Sequence, residues 1–382
     1  MKKIILLIAI IFSFFSSPLS VLGLSEAEDT NEAGEFTREP AFENENKVTT
    51  QGRNAAMEKV LAIESTLRKI SIELTMEYAF ATHGEQTFEM VNNQEAIVSK
   101  LTYPIKGGML ILKGEVGFFS KIFLGGRYGS SEFKKTTCSD EDWGLYDEDW
   151  AFGTDNYIDY QITKQDCKSK LDFFDINFYY RLMDLDRNEA KERFLSCISV
   201  REKQLWDYIQ LDKLFFDIFI GYQSQKGRYN MVDPLRECLL DDEGIHYSVL
   251  GLPDNIGLNS FYKIEYKGPR LGFRTGTRGK LNTQFSFAYA WLKTDAYGWW
   301  NLRDYSFRQN GKNGRGLDIE LEATYRFTPR ISAGLGYNYF YYQQKKAKGS
   351  GAQPDFVYED LDIIRNANCK IYGPSFVLKY IW

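Results

Sequence analysis

The chain has 382 residues, is 43% hydrophobic and 16% aromatic, and carries a formal net charge of -5. The charge balance offers no basic stripe for nucleic acid, and the apolar content excludes a disordered chain. Two histidines, and five cysteines in no CxxC pair, leave no set for a zinc ribbon or a His-rich metal centre.

The N-terminus reads as a secretory signal over residues 1–23: Lys2 and Lys3, an apolar run from Ile4 to Phe15, then Val21-Leu22-Gly23 near a cleavage point. Residues 24–68 read as an acidic periplasmic tail, with Glu26, Glu28, Asp29 and Glu32 in its first part. A short helix is expected over 54–68 behind Asn54 as N-cap. No later stretch has ~20 consecutive apolar residues, so an exported chain that stays in a membrane must span it as a barrel.

From residue 69 the hydrophobic period is two. Ten strands are predicted, at about 69–81, 95–117, 121–132, 170–181, 212–224, 259–276, 281–293, 316–327, 331–345 and 369–382. In the clearest, Leu317, Ile319, Leu321, Ala323, Tyr325 and Phe327 alternate with Asp318, Glu320, Glu322, Thr324 and Arg326. Such a charged inward set, repeated over many strands, is the reverse of a soluble barrel. Short turns at 117–121, 277–280 and 328–330 alternate with long polar connections at 133–168, 225–258, 294–315 and 346–367. The expected fold is therefore an all-β, ten-stranded antiparallel transmembrane β-barrel over 69–382. Its short turns and both termini would be periplasmic and its long loops extracellular. Residues 182–211 interrupt this pattern with a charged periplasmic insertion. The last strand ends on Phe376, Leu378, Tyr380 and Trp382, and resembles the terminal strand of Gram-negative outer-membrane barrels.

Several segments carry a more specific resemblance. They are Val98-Ser99-Lys100-Leu101-Thr102-Tyr103, Ser139-Asp140-Glu141-Asp142-Trp143, Gly221-Tyr222-Gln223 with Arg228-Tyr229, and Tyr262 to Pro269. In this order, and with the aromatic last strand, the chain resembles the omptin family of ten-stranded outer-membrane proteases.

The resemblance implies a surface endopeptidase that activates water between an Asp pair and an Asp-His dyad, because a carboxylate-held His takes a proton near neutral pH. Asp140 and Asp142 match the pair. In the fourth loop no histidine stands in the dyad position; Asp295-Ala296-Tyr297 supplies the acidic residue, with Tyr297 in place of His. His83 and His246 fall in other loops. Lipopolysaccharide is the implied activator, with Tyr222 and Arg228 matching part of its site and Glu265 standing where the family has Arg. No other cofactor and no metal is expected.

The expected partners are outer-membrane lipid and lipopolysaccharide, with a peptide substrate if the site is active, and the barrel is expected to be a monomer. A degenerate barrel of the same fold, kept for adhesion, lipopolysaccharide contact or membrane structure, stays open as the alternative, and a pore ranks last. Cys138 and Cys167, at the two ends of the second loop, are expected to form a disulfide after export.

Overall fold

A period of two is satisfied by extended strands whose successive side chains face opposite sides of a sheet. The computed structural model describes residues 70–91, 97–118, 121–146, 157–186, 189, 211–242, 245–248, 257–301, 304–353, 356–359 and 363–382. The expected signal peptide, the expected acidic tail and helix, Cys197 and most of the expected 182–211 insertion lie outside these residues. The elements are β1 (Ser71–Val91), β2 (Ile97–Phe118), β3 (Ile122–Glu132), β4 (Thr136–Tyr146), β5 (Tyr157–Asp186), β6 (Leu211–Asp242) and β7 (Ile245–Ser248). They continue with β8 (Asn259–Gly279), β9 (Leu281–Trp300), β10 (Tyr305–Arg326), β11 (Ile331–Gln353), β12 (Phe356–Glu359) and β13 (Ile363–Ile381).

Neighbours are antiparallel, and β1 pairs with both β2 and β13, which closes the ring. β3 and β4 both lie between β2 and β5, as the lower and upper halves of one wall strand. β7 and β12 only flank β6 and β11. The wall therefore has the expected ten strands. Closure removes the free edges that lipid cannot hydrate. The tight turn after β10 is held by Thr328, whose Oγ1 accepts from the amides of Arg330 and Ile331 at 3.2 and 3.0 Å.

The long polar connections are not loops for most of their length. β5 and β6 run for 30 and 32 residues, against the roughly 9–11 that a bilayer requires. Strand pairing takes up much of 133–168, 225–258, 294–315 and 346–367. In these stretches the outward face turns polar, so the apolar alternation fades while the hydrogen-bond ladder continues.

On the lower part of the wall the outward residues are apolar. Met76, Tyr78 and Phe80 on β1, Ile176, Phe178 and Tyr180 on β5, and Ile218, Ile220 and Tyr222 on β6 are exposed. On β13, Phe376, Leu378 and Trp382 are exposed, as the terminal-strand pattern requires. This belt is the surface a bilayer covers.

The lumen inside the belt is a web of ion pairs. Arg127 contacts Asp175, Asp318 and Glu320. Arg270 lies 3.1 Å from both Asp175 and Asp318. Lys113 joins Glu77 and Glu320 at 2.7 and 3.0 Å, and Arg181 and Arg274 share Asp217 at 2.8 Å each. A cavity of about 60 Å³ remains among these groups.

Above the belt the lumen changes character. Phe88, Tyr103, Tyr229, Tyr262, Tyr266, Phe307, Phe340 and Tyr342 form one buried cluster. The change coincides with irregularities that exchange the two faces of a strand. On β1 a bulge between Ala79 and Thr82 moves the buried set from Thr75, Glu77 and Ala79 to Thr82, Gln86 and Phe88. Between β3 and β4 it moves from Phe123, Arg127 and Ser131 to Cys138 and Asp142. On β10 a shift between Gly311 and Gly314 moves it from Asp318 to Gln309 and Phe307. On β11, Lys346 at φ 53° separates buried Gln344 from buried Ala347.

Candidate functional site

Asp140 and Asp142 sit on β4, opposite Leu101 and Ser99 of β2. With Cys138 they occupy alternate positions, so all three face the lumen near its mouth. Asp142 is buried and Asp140 half-buried, and Ser99 Oγ donates to Asp140 Oδ1 at 3.5 Å. Glu141, between them, points outward and pairs with Lys100 at 3.8 Å. The structure thus brings together the two acidic residues expected to act as a pair.

Asp295 and Tyr297 go elsewhere. On β9 the inward residues are Thr294 and Ala296, both buried, so Asp295 and Tyr297 face outward. The expected arrangement, an Asp pair facing Asp295 and Tyr297 across the mouth, does not form, because the wall and a filled lumen separate them. The reason is alternation: exposed Trp291 lies on the same face four residues before Asp295, and β9 runs straight on. His83 also faces outward, with its ring stacked on Tyr372 at 6.3 Å. His246 lies on β7, opposite Asp241.

The disulfide is not formed either: Cys138 and Cys167 are buried free thiols. Cys138 pairs with Gln165 and Cys167 with Thr136, so the two are diagonal neighbours rather than a direct cross-strand pair. Diagonal Cβ atoms stand farther apart than a disulfide accepts without backbone movement. Hydrogen bonding to Cys167, then burial, pushes the Cys138 thiol up.

Below the mouth the aromatic cluster closes the lumen. Phe88 and Tyr262 rings meet at 3.8 Å, Tyr103 and Tyr229 at 5.0 Å, and Tyr262 and Phe307 at 5.5 Å. Polar atoms are mostly satisfied within it. Gln86 Nε2 donates to Tyr266 at 3.1 Å, Tyr229 donates to Gln86 Oε1 at 3.4 Å, and Tyr262 donates to Gln309. Gln225 Nε2 donates to Cys369 Sγ at 3.1 Å. Burial raises the phenols of Tyr103, Tyr229, Tyr262 and Tyr266 well above their usual range and pushes the Cys369 thiol up to about 12. Burial thus favours the neutral form of each of these groups.

The outer wall above the belt is organised in rows, which sequence reading missed because it took 225–258 and 294–315, the β6, β9 and β10 parts of these rows, for loops. Register sets Asp172, Lys226, Glu265, Asp295 and Asn310 side by side across β5, β6, β8, β9 and β10. The next row up is Lys170, Arg228, Lys263, Tyr297 and Arg308, and above it Lys168, Asn230, Phe261, Trp299 and Ser306. The lower row is largely self-neutralised. Glu265 accepts from Lys267 and Ser224 at 2.8 and 2.9 Å and lies 3.6 Å from Lys226. Burial opposes its charge, but these partners outweigh it and hold the carboxyl below its ordinary value.

The middle row is only partly neutralised: Lys170 lies 3.9 Å from Asp172. Among the described residues Arg228, Lys263 and Arg308 make no salt bridge. Arg228 and Lys263 lie over Phe261 at 5.1 and 4.7 Å, and Arg308 over Tyr297 at 5.7 Å. Like charges directly opposite one another destabilise a strand pair, and here the cation–π contacts and the Arg228 bond to Asn230 at 2.9 Å offset part of that cost. An open groove of about 440 Å³ runs along the row, lined by Lys170, Lys226, Arg228, Lys263, Asp295 and Tyr297 among others. Of the expected lipopolysaccharide-binding residues, Arg228 stands in this row and exposed Tyr222 lies below it, at the top of the apolar belt on β6.

Comparison with known proteins supports the barrel. A family model described as Pom, Protochlamydia outer membrane protein, matches residues 220–362. The fold is similar to that of the outer membrane protease OmpT from Escherichia coli, with a TM-score of 0.61 over 82% of this chain and 97% of that one. Identity there is 14%, so the likeness is one of fold. The translocator domain of the autotransporter NalP from Neisseria meningitidis aligns over 86% and 97% of the two chains at 7% identity and a TM-score of 0.31. No curated protein matches the sequence.

Proposed function

We propose that this outer-membrane barrel binds the phosphate groups of lipopolysaccharide on its outer wall and performs no peptide hydrolysis. The observation that carries the reading is the row above the apolar belt in which Lys170, Arg228 and Lys263 are adjacent and Arg308 follows across Tyr297. Guanidinium and ammonium groups at that height meet the phosphates of a lipid whose acyl chains lie against the belt. The same reading puts the short turns and both termini in the periplasm, the long strands outside the cell, and a single chain in the membrane. A peptidase would need a base opposite Asp140 and Asp142; Asp295 and Tyr297 face the outer side of the wall, and a buried aromatic cluster lies below the acidic pair.

The second reading, a surface endopeptidase, is favoured by the shared inward face of Asp140 and Asp142 at the mouth. One experiment separates the two. The full chain is inserted in an outer membrane and tested with a peptide panel, including dibasic peptides, and for lipopolysaccharide affinity. The expected result is no cleavage, and binding weakened on the order of tenfold or more by the double variant Arg228→Glu, Lys263→Glu. Cleavage abolished by Asp140→Asn and Asp142→Asn would overturn the reading, as would binding indifferent to the charge reversals.

A further inference from the structure

The uppermost of these three rows holds Phe261 and Trp299, with Tyr297 in the row just below, and the phosphate reading makes no use of their rings. Phe261, Tyr297 and Trp299 are half-buried aromatic side chains on the outward face of β8 and β9. Their rings lie close together, Phe261 to Tyr297 at 5.8 Å and Phe261 to Trp299 at 6.0 Å. Trp299 is eight residues along β9 from Trp291, the last residue of the apolar belt on that strand. At roughly 3.3 Å per residue and a strand tilt of about 40°, this sets Trp299 about 20 Å above the belt. Acyl chains do not reach that height, so these rings are not a membrane girdle.

Hydrogen bonds also tie Trp299 and the backbone beside it. Trp299 Nε1 donates to Asp304 Oδ1 at 3.4 Å. Asn301 ties the β9–β10 connection to β8: its Oδ1 accepts from the amide of Asn259 at 2.8 Å, and its Nδ2 donates to Gly257 O at 2.7 Å. Arg228 and Lys263, in the row below, both lie over the Phe261 ring, and Arg308, the cross-strand partner of Tyr297, lies over the Tyr297 ring. Asn230 and Ser306 complete the row with polar atoms. The wall therefore presents, from the belt upward, apolar side chains, charged groups, and then a cluster of mutually tilted aromatic rings flanked by cations and polar side chains.

We infer that Phe261, Tyr297 and Trp299 form a platform for the anionic sugars of the glycolipid whose phosphates occupy the row below. A sugar ring has an apolar C–H face that lies on an aromatic ring and hydroxyl or acidic substituents at its edge. The edge substituents meet Arg228, Lys263, Arg308 and Asn230. The inference rests on the phosphate-binding reading above, because that lipid brings the sugars to this height. The platform selects for lipids that carry sugars, whereas the cation row below accepts any phosphorylated headgroup.

The test uses the full chain in lipid nanodiscs and two probes: lipopolysaccharide with its core oligosaccharide, and the same lipid stripped of those sugars. The double variant Phe261→Ala, Trp299→Ala is expected to lose on the order of tenfold in affinity for the sugar-bearing lipid and to keep its affinity for the stripped lipid. The conservative variant Phe261→Tyr, Trp299→Phe, which keeps the flat faces, stays within a few-fold of the parent for both probes and shows that loss is not misfolding. Equal weakening toward both probes, or no weakening toward either, overturns the platform. If Arg228→Glu, Lys263→Glu leaves stripped-lipid binding intact, the phosphate reading fails. The platform is then judged alone, by the change in sugar-bearing affinity in the alanine variant.

Discussion

The two halves of the barrel are built on opposite rules. In the lower half apolar side chains face outward, and the lumen holds Arg127, Asp175, Asp318, Arg270, Lys113 and Glu77 in mutual contact. In the upper half the outward face is Lys170, Arg228, Lys263 and Arg308, while the lumen holds Phe88, Tyr103, Tyr229 and Tyr262. The upper half is a soluble β-barrel standing on a membrane one. One continuous wall meets two solvents, and each half puts outward what its solvent accepts. Bulges on β1 and β10 and the break between β3 and β4 make the exchange without ending the strands.

The comparison can be broken most severely from below. Arg127→Met removes a shared partner of Asp175, Asp318 and Glu320 and leaves these three carboxylates one cation short, with only Arg270 and Lys113 beside them among the described cations. It is expected to cost about 3–5 kcal/mol, seen as a lower urea midpoint and loss of heat-resistant mobility on gels. A variant as stable as the parent would show that the lower web is hydrated rather than paired.

The upper half should respond to shape, not charge. Phe88→Ala opens a hole beside Tyr262 and is expected to cost about 3 kcal/mol. Tyr103→Phe removes a buried hydroxyl with no hydrogen-bond partner among the described residues. That change should be neutral, or stabilising by up to ~1 kcal/mol. Clear destabilisation by Tyr103→Phe in the same urea titration would mean that the upper lumen contains structural water.

The smallest effect is at the boundary on the outer wall. Lys267 and Ser224 hold the Glu265 carboxyl below its ordinary 4.5. A depressed carboxylate contributes stability above its unfolded pKa, and the contribution disappears as pH falls through the lower folded value. Parent and Glu265→Gln should therefore differ by well under 1 kcal/mol at neutral pH and converge below the folded pKa. A gap that widens on acidification would reverse the assignment.

Much of this was legible in the residues. Alternation over Leu317–Phe327 correctly assigned Asp318, Glu320 and Glu322 to the lumen, and the terminal strand faced lipid as its aromatic residues required. The outward direction of Asp295 and Tyr297 was legible too. They share the parity of Trp291, and reading 294–315 as a loop hid the fact that the strand runs on. The parity of Asp140 and Asp142 was not legible, since counting on from Leu124 and Tyr128, which are exposed on β3, assigns even residues to the outside. Residues 133–135 reverse that count, with the amides of Phe133 and Lys134 bonded to Ser169 and Lys106 on the two flanking strands.

By itself the sequence determined the number of strands and the faces of each strand within the membrane, because lipid on one side imposes a strict period of two. Only the tertiary structure decided how far the strands continue above the membrane, where their faces exchange, and which residues meet across the lumen. Those outcomes depend on neighbours brought together by ring closure. A polar outward face in water gives the same local composition as a loop.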